Sequence, residues 1–286
     1  MSLVPPGQTL DIMRKMALLV VSCLAALAGC SQPYVNEARL ARGLVIVLTG
    51  IEGRSVLNED ICHGLNDGGV DCAIELVDWT SPLPGGYLIS LRDKPRNMRK
   101  AAELAERVVR YQKDHPGKPV FLLGQSGGAA IAVWATEALP PASKIEGIIL
   151  LAPAISGEYE LDQAMLNSGR GIVSFHSQRD WVILGAGTTI YGTMDGKHGP
   201  AAGRTGFQTP QGPRAQRYRR KLFQIAWAEQ ADPAGHYGGH LSSGSRRFVA
   251  RYVAPLVQLG QWDQHMVVRM REGKNLLPEA DWRTQS

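Results

Sequence analysis

The chain has 286 residues, 44% of them hydrophobic and 20% charged, with four cysteines and a formal net charge of +5. That balance suits a folded core of one large domain or two small ones and excludes disordered, fibrous and disulfide-scaffold classes. The basic excess would point to nucleic acid only if it were patterned; its densest run, Arg214 to Lys221, reads as a solvated loop, so no nucleic-acid partner is expected.

Taken from the N-terminus, Arg14 and Lys15 precede an apolar run from Ala17 to Ala26, too short to span a bilayer, and Leu27-Ala28-Gly29-Cys30 closes it. A basic start, a short apolar stretch and small residues are the marks of a secretory signal. The tetrapeptide resembles a bacterial lipobox, which implies removal of residues 1–29 and lipidation of Cys30. Ser31 stands where an aspartate would be associated with inner-membrane retention, so the resemblance implies export and a lipid anchor, with the outer membrane favoured. Residues 30–42 are then a polar lipidated tether, 43–260 the folded domain, and 261–286 a polar tail expected to pack on the surface or fray.

Leu44 to Leu48 is a continuous apolar run, as expected of a strand covered on both faces. Residues 54–67 read as a helix ending at Gly68-Gly69. Cys72 to Trp79 reads as a strand. With Cys30 lipidated and Cys23 removed, only Cys62 and Cys72 remain in the domain; one lies in a helical pattern and the other opens a strand, so two buried free thiols are expected.

A proline- and glycine-rich loop, Ser81 to Gly86, leads to an amphipathic helix from about Asn97 to Asp114. Further strands are expected at Val120 to Leu123, Ile145 to Pro153, Arg170 to Ser177 and Leu222 to Trp227, with a closing helix from Ser245 to Val257. Strands separated by helical patterns argue for βαβ units: an α/β fold with a mainly parallel central sheet and helices on both faces. Between Leu184 and Arg220 the alternation lapses into glycine-rich sequence, a candidate wall of a binding site.

The chemistry concentrates at Val120 to Trp134, V-F-L-L-G-Q-S-G-G-A-A-I-A-V-W, where Gly124, Ser126 and Gly128 satisfy G-x-S-x-G between a strand and a helix. In this context the chain resembles the α/β-hydrolase family of esterases and lipases, from about Leu44 to Val257. The resemblance implies Ser126 as nucleophile and the backbone N–H of Gly127 as one oxyanion donor. It implies a second donor in Leu48 to Gly53, at Ile51 or alternatively Glu52. Thr49-Gly50 and Gln125 stand where the family often has His-Gly and a histidine.

The family's chain order is serine, acid, histidine. Asp180 lies three residues past a strand end, where the resemblance puts the acid; Asp162 and Asp195 are the weaker candidates, and His176 reads as a core histidine inside a strand. The base comes from Ala234 to Leu241, as His240 or alternatively His236; three glycines there argue against a helix and hence against a metal site built on the two histidines. The resemblance implies a membrane-anchored serine hydrolase of carboxylic esters, small-molecule or lipid-like, with no cofactor. Thioester or amide cleavage and acyl transfer use the same groups, and a non-catalytic binding module on the same fold is the rival from another class.

Overall fold

The computed structural model describes residues 32–83, 86–180, 192–228 and 234–277, the side chain of Leu88 apart. The signal-like segment, Cys30 and part of the Leu184–Arg220 stretch lie outside these residues. Contacts divide the chain between Pro33 and Tyr34, and the larger unit carries everything described below.

Six strands build one sheet: β1 (Leu44–Leu48), β2 (Ala73–Val77), β3 (Val120–Gln125), β4 (Gly147–Leu151), β5 (Ile172–His176) and β6 (Leu222–Ala226). They are all parallel, in the order β2-β1-β3-β4-β5-β6. This is the α/β architecture expected. β1 coincides with its expected run, β3 extends two residues past it to Gln125, and β2, β4, β5 and β6 are each slightly shorter.

The continuous apolar runs are explained by the two helical layers. Leu44, Ile46 and Leu48 point to one face, packed with Ala101, Leu104 and Val108 of α4 (Lys94–Asp114) and Ala130 to Trp134 of α5 (Gly127–Glu137). Val45 and Val47 point to the other, against Ile61 and Leu65 of α2 (Val56–Asp67) and Val249 and Val253 of the closing helix. Side chains alternate along a strand, so a strand covered on both faces must be apolar at every position.

Residues 34–42, expected as a tether, are built into the domain. Ile74 N donates to Tyr34 O at 3.1 Å, which extends the free edge of β2. Arg39, on the short helix α1 (Glu37–Leu40), donates to Cys72 O and Asn66 Oδ1, both at 2.9 Å. Tyr111 Oη donates to Leu40 O at 2.7 Å. Cys62 and Cys72 are free and buried, and burial pushes their thiols up to about 12 and about 11, which keeps them protonated and unreactive.

Four elements differ from the sequence expectation. α3 (Gly86–Arg92) fills residues between the expected loop and helix that were given no element, and α4 starts at Lys94 rather than Asn97 because Asp93 accepts from Arg96 N at 3.0 Å with a proline just inside the helix. α7 (Ala202–Thr205) lies in the stretch expected to be loop-like, whereas the short helix α6 (Asp162–Leu166) stands where the sequence around Asp162 reads as helix-like. The basic run expected as a solvated loop forms α8 (Ala215–Lys221). Three of its charges are partnered: Arg214 pairs with Glu160 at 2.9 Å, Arg217 with Asp162 at 2.6 Å, and Lys221 Nζ donates to Ser168 O at 2.8 Å.

The closing helix, α9, runs through Arg246–Phe248, a π-helical turn at Val249–Val253 and Ala254–Gln258. Beyond Gly260 the chain does not fray at once. Asp263 accepts from Met266 N at 2.8 Å and starts α10 (Gln264–Arg271), whose Met266, Val267 and Met270 complete the second core layer.

Candidate active site

In an open parallel sheet, the connection after one strand turns to one side and the connection after its neighbour to the other, leaving a crevice at the strands' carboxyl ends. Here β1 leads outward to β2 while β3 leads the other way to β4, so the crevice opens between the ends of β1 and β3. The loop after β1 carries Ile51, and Ser126 follows β3.

Ser126 has φ 53° and ψ −118°, a strained conformation for any residue with a side chain. It is held there from both sides: Ser126 N donates to Leu151 O at 2.9 Å, and Ser126 O accepts from Ala154 N at 3.0 Å. The flanking glycines let strand and helix close on the turn. A Cβ on Gly124 would stand 2.6 Å from Ala129 Cα, and one on Gly128 would stand 2.5 Å from Leu48 O. α5 begins at Gly127, so the Gly127 N–H has no acceptor within the helix and points out of its positive end.

Asp180 and the two histidines come from two other loops. After β5, Arg179 N donates to Ser177 Oγ at 3.2 Å and Asp180 N to Ser177 O at 3.0 Å, a tight turn that buries Asp180 to 2% exposure. After β6, the histidine loop packs on this turn through Gly238 (φ 81°), where a Cβ would stand 3.0 to 3.1 Å from Arg179 and Ser177 side-chain atoms. A side chain is disfavoured there twice over, by the backbone and by the contact.

His240 Nε2 lies 2.8 Å from Ser126 Oγ, and His240 Nδ1 lies 2.8 Å from Asp180 Oδ2. With Asp180 ionised, Nδ1 carries the proton and donates to it, which leaves Nε2 as the acceptor for the serine hydroxyl. His236 does not reach this group. Its Nδ1 is 2.8 Å from Ser242 Oγ and its ring meets Phe248 edge-on at 4.6 Å. Burial pushes the His236 imidazole down to about 4, so it is neutral at ordinary pH and braces the loop.

The other sequence candidates are engaged elsewhere. Asp162 lies in the first turn of α6, paired with Arg214 and Arg217. Asp195 Oδ1 accepts from Ser156 N at 2.9 Å and Thr193 Oγ1 at 2.5 Å. His176 ends β5, and burial lowers its pKa from the ordinary value.

Ile51 is brought against the turn that carries Ser126. A Cβ on Gly127 would stand 2.6 Å from Ile51 Cγ2, 3.1 Å from Trp79 Cζ2 and 3.5 Å from Met194 Sδ, so these three side chains fill the space that a side chain at residue 127 would take. Trp79 Nε1 donates to Thr49 O at 2.7 Å, and Asp78 accepts from Arg54 N at 3.0 Å and from Thr80 N at 2.9 Å, which anchors both ends of the loop that carries Ile51. Sequence reasoning named Ile51 and Glu52 but missed Trp79, Asp78 and Met194. The first two sit at the end of a recognisable strand, where catalytic support is expected; Met194 has no local signal.

Residues 95–179 match a family model described as serine aminopeptidase, S33, less than a third of the chain. No curated protein matches the sequence. Among solved structures, the chain is similar to lipase B of Aspergillus fumigatus (13% identity, 84% of this chain and 59% of that one, TM-score 0.49). It is also similar to dienelactone hydrolase of Anabaena variabilis (15%, 76% and 85%, 0.44) and to XC6422 of Xanthomonas campestris, described as an α/β serine hydrolase without lid (13%, 76% and 84%, 0.45). Activity does not follow from shape at this level, and the functional reading rests on the geometry above.

Proposed function

We propose that this chain is a serine hydrolase of the α/β-hydrolase family that cleaves a carboxylic ester through an acyl-enzyme on Ser126. The observation that carries the reading is the buried chain of two 2.8 Å contacts, Ser126 Oγ to His240 Nε2 and His240 Nδ1 to Asp180 Oδ2. A binding module has no use for a strained serine joined to a buried imidazole–carboxylate pair.

In this mechanism His240 Nε2 takes the Ser126 hydroxyl proton as Oγ attacks the acyl carbon. The carbonyl oxygen becomes an oxyanion and accepts from the N–H groups of Gly127 and Ile51. Collapse of the tetrahedral species breaks the acyl–oxygen bond, and His240 gives its proton to the departing alkoxide. Water then repeats the sequence: His240 takes one water proton, the hydroxide adds to the acyl carbon, and Ser126 leaves with the proton returned. Asp180 stays ionised and stabilises the imidazolium in each half.

A fluorophosphonate probe tests this directly. The expected result is one adduct per chain, on the peptide containing Ser126; no adduct, or an adduct elsewhere, refutes the assignment.

The same reading places the enzyme at a membrane, through lipid on Cys30. It is supported by the basic and apolar segment ending in Leu27-Ala28-Gly29-Cys30. Mass analysis of the mature protein from a bacterial host is expected to find a chain that begins at a lipid-modified Cys30. An unmodified N-terminus at another residue excludes the anchor and leaves the hydrolase reading standing.

A further inference from the structure

Gln125 immediately precedes the proposed nucleophile and is fully buried, yet neither end of its carboxamide has a hydrogen-bond partner. Buried amides are nearly always paired, so an unpaired one beside a reacting group calls for a physical account. Strand alternation puts residue 125 on the same face as Phe121 and Leu123, toward α2, and its side chain ends beneath Gly50, in the loop that carries Ile51.

A Cβ built on Gly50 would meet two side-chain termini at once, Glu52 Oε2 and Gln125 Oε1, both within 2.6 Å. The two termini therefore both border the position a side chain at residue 50 would take, Gln125 from the buried side and Glu52 from an exposed residue. As oriented, two acceptor oxygens face it and neither gains a bond. A carboxamide's oxygen and nitrogen are nearly the same size, so half a turn of its terminal torsion exchanges them without moving another atom. That half-turn presents the Gln125 Nε2–H group to the Glu52 carboxylate, and a donor to an ionised oxygen is the stronger kind of hydrogen bond.

We infer that Gln125 and Glu52 form a clamp across Gly50 that holds the Ile51 N–H over Ser126, making Gln125 a positioning residue for the oxyanion loop. The inference rests on the hydrolase reading above and adds how the second donor is kept in place. Trp79 and Asp78 hold the two ends of the loop. The clamp holds its middle, where the tight bond from Gly53 N to Gly50 O, at 3.2 Å, turns the chain. A donor displaced by a fraction of an ångström binds the oxyanion poorly while leaving the ground-state ester little affected, so the effect falls on kcat.

The test is an exchange of the two side chains. Gln125→Glu sets two carboxylates against each other and is expected to lower kcat on a short-chain aryl ester about tenfold to a hundredfold, less than loss of an entire oxyanion donor, with KM within about threefold. Adding Glu52→Gln restores one carboxylate and one carboxamide in exchanged places, and the double variant is expected to return to within about threefold of the parent. Gly50→Ala, which wedges a methyl between the pair without altering either member, is expected to lose kcat as Gln125→Glu does. Fluorophosphonate labelling rates should follow the same order, because the phosphonyl oxygen occupies the oxyanion position.

A double variant no more active than Gln125→Glu overturns the clamp, as does a Gly50→Ala protein with unchanged kcat. Thermal melting supplies an independent arm if Gln125→Glu folds poorly: the clamp requires Glu52→Gln to restore the melting temperature that Gln125→Glu loses, and additive losses refute it. If the parent protein neither turns over esters nor takes the probe, the hydrolase reading fails, and the melting cycle still decides whether the two side chains are paired.

Discussion

Ser126→Ala and His240→Gln should each lower ester turnover by roughly 10⁶, and the double variant should lose no more than either alone, because members of such a triad act as a unit. The hydroxyl and imidazole are joined by a single 2.8 Å contact in a site where Ser126 is 5% and His240 is 7% exposed, so neither group has a substitute at hand. His236→Gln should cost less than about tenfold. Its side chain reaches Ser242 and Phe248 rather than Ser126, and it affects the site only by loosening the loop. Turnover of a short-chain aryl ester, with melting temperature as the folding control, separates the three. Near-parent activity in His240→Gln combined with severe loss in His236→Gln would reverse the assignment.

The second large effect is expected at Asp180. Asp180→Asn conserves volume but replaces an acceptor with a group that can present N–H to His240 Nδ1. The imidazole then turns to the tautomer with its proton on Nε2, which cannot accept from Ser126. A fall in kcat of about 10⁴ is the measured scale of the analogous change in a serine protease. Asp162→Asn should leave turnover unchanged, since that carboxylate is held by Arg214 and Arg217. A loss below tenfold in Asp180→Asn would remove it from the mechanism.

The parts of the molecule that were legible in advance share a local cause. Leu44 to Leu48 read as a doubly covered strand because every position must be apolar there, and Val120 to Leu123 read as a strand from a similar unbroken run. Gly124 and Gly128 announced a tight strand-to-helix turn because no other residue lets the two backbones close. α8 was not legible: five of its seven residues are arginine, lysine or glutamine, and the carboxylates that pair with its charges, Glu160 and Asp162, lie more than fifty residues earlier. α10 was passed over as a polar tail although Asp263 and the spacing of Met266, Val267 and Met270 carry an ordinary helix signal.

At the site itself, residue order and the turn around Ser126 were enough to propose which residue types act and in what sequence along the chain. They favoured His240 over His236 only narrowly. Four residues apart in a loop of glycines, the two histidines have equivalent local signals, and their difference arises from Gly238, whose left-handed backbone seats the loop on the turn that carries Asp180. That contact joins segments some sixty residues apart, and it turns one imidazole toward Ser126 and the other toward Phe248. Pattern along a chain records what each segment needs from its neighbours in sequence; which of two equivalent side chains reaches a third depends on packing between distant loops, and that exists only once the sheet has brought their ends together.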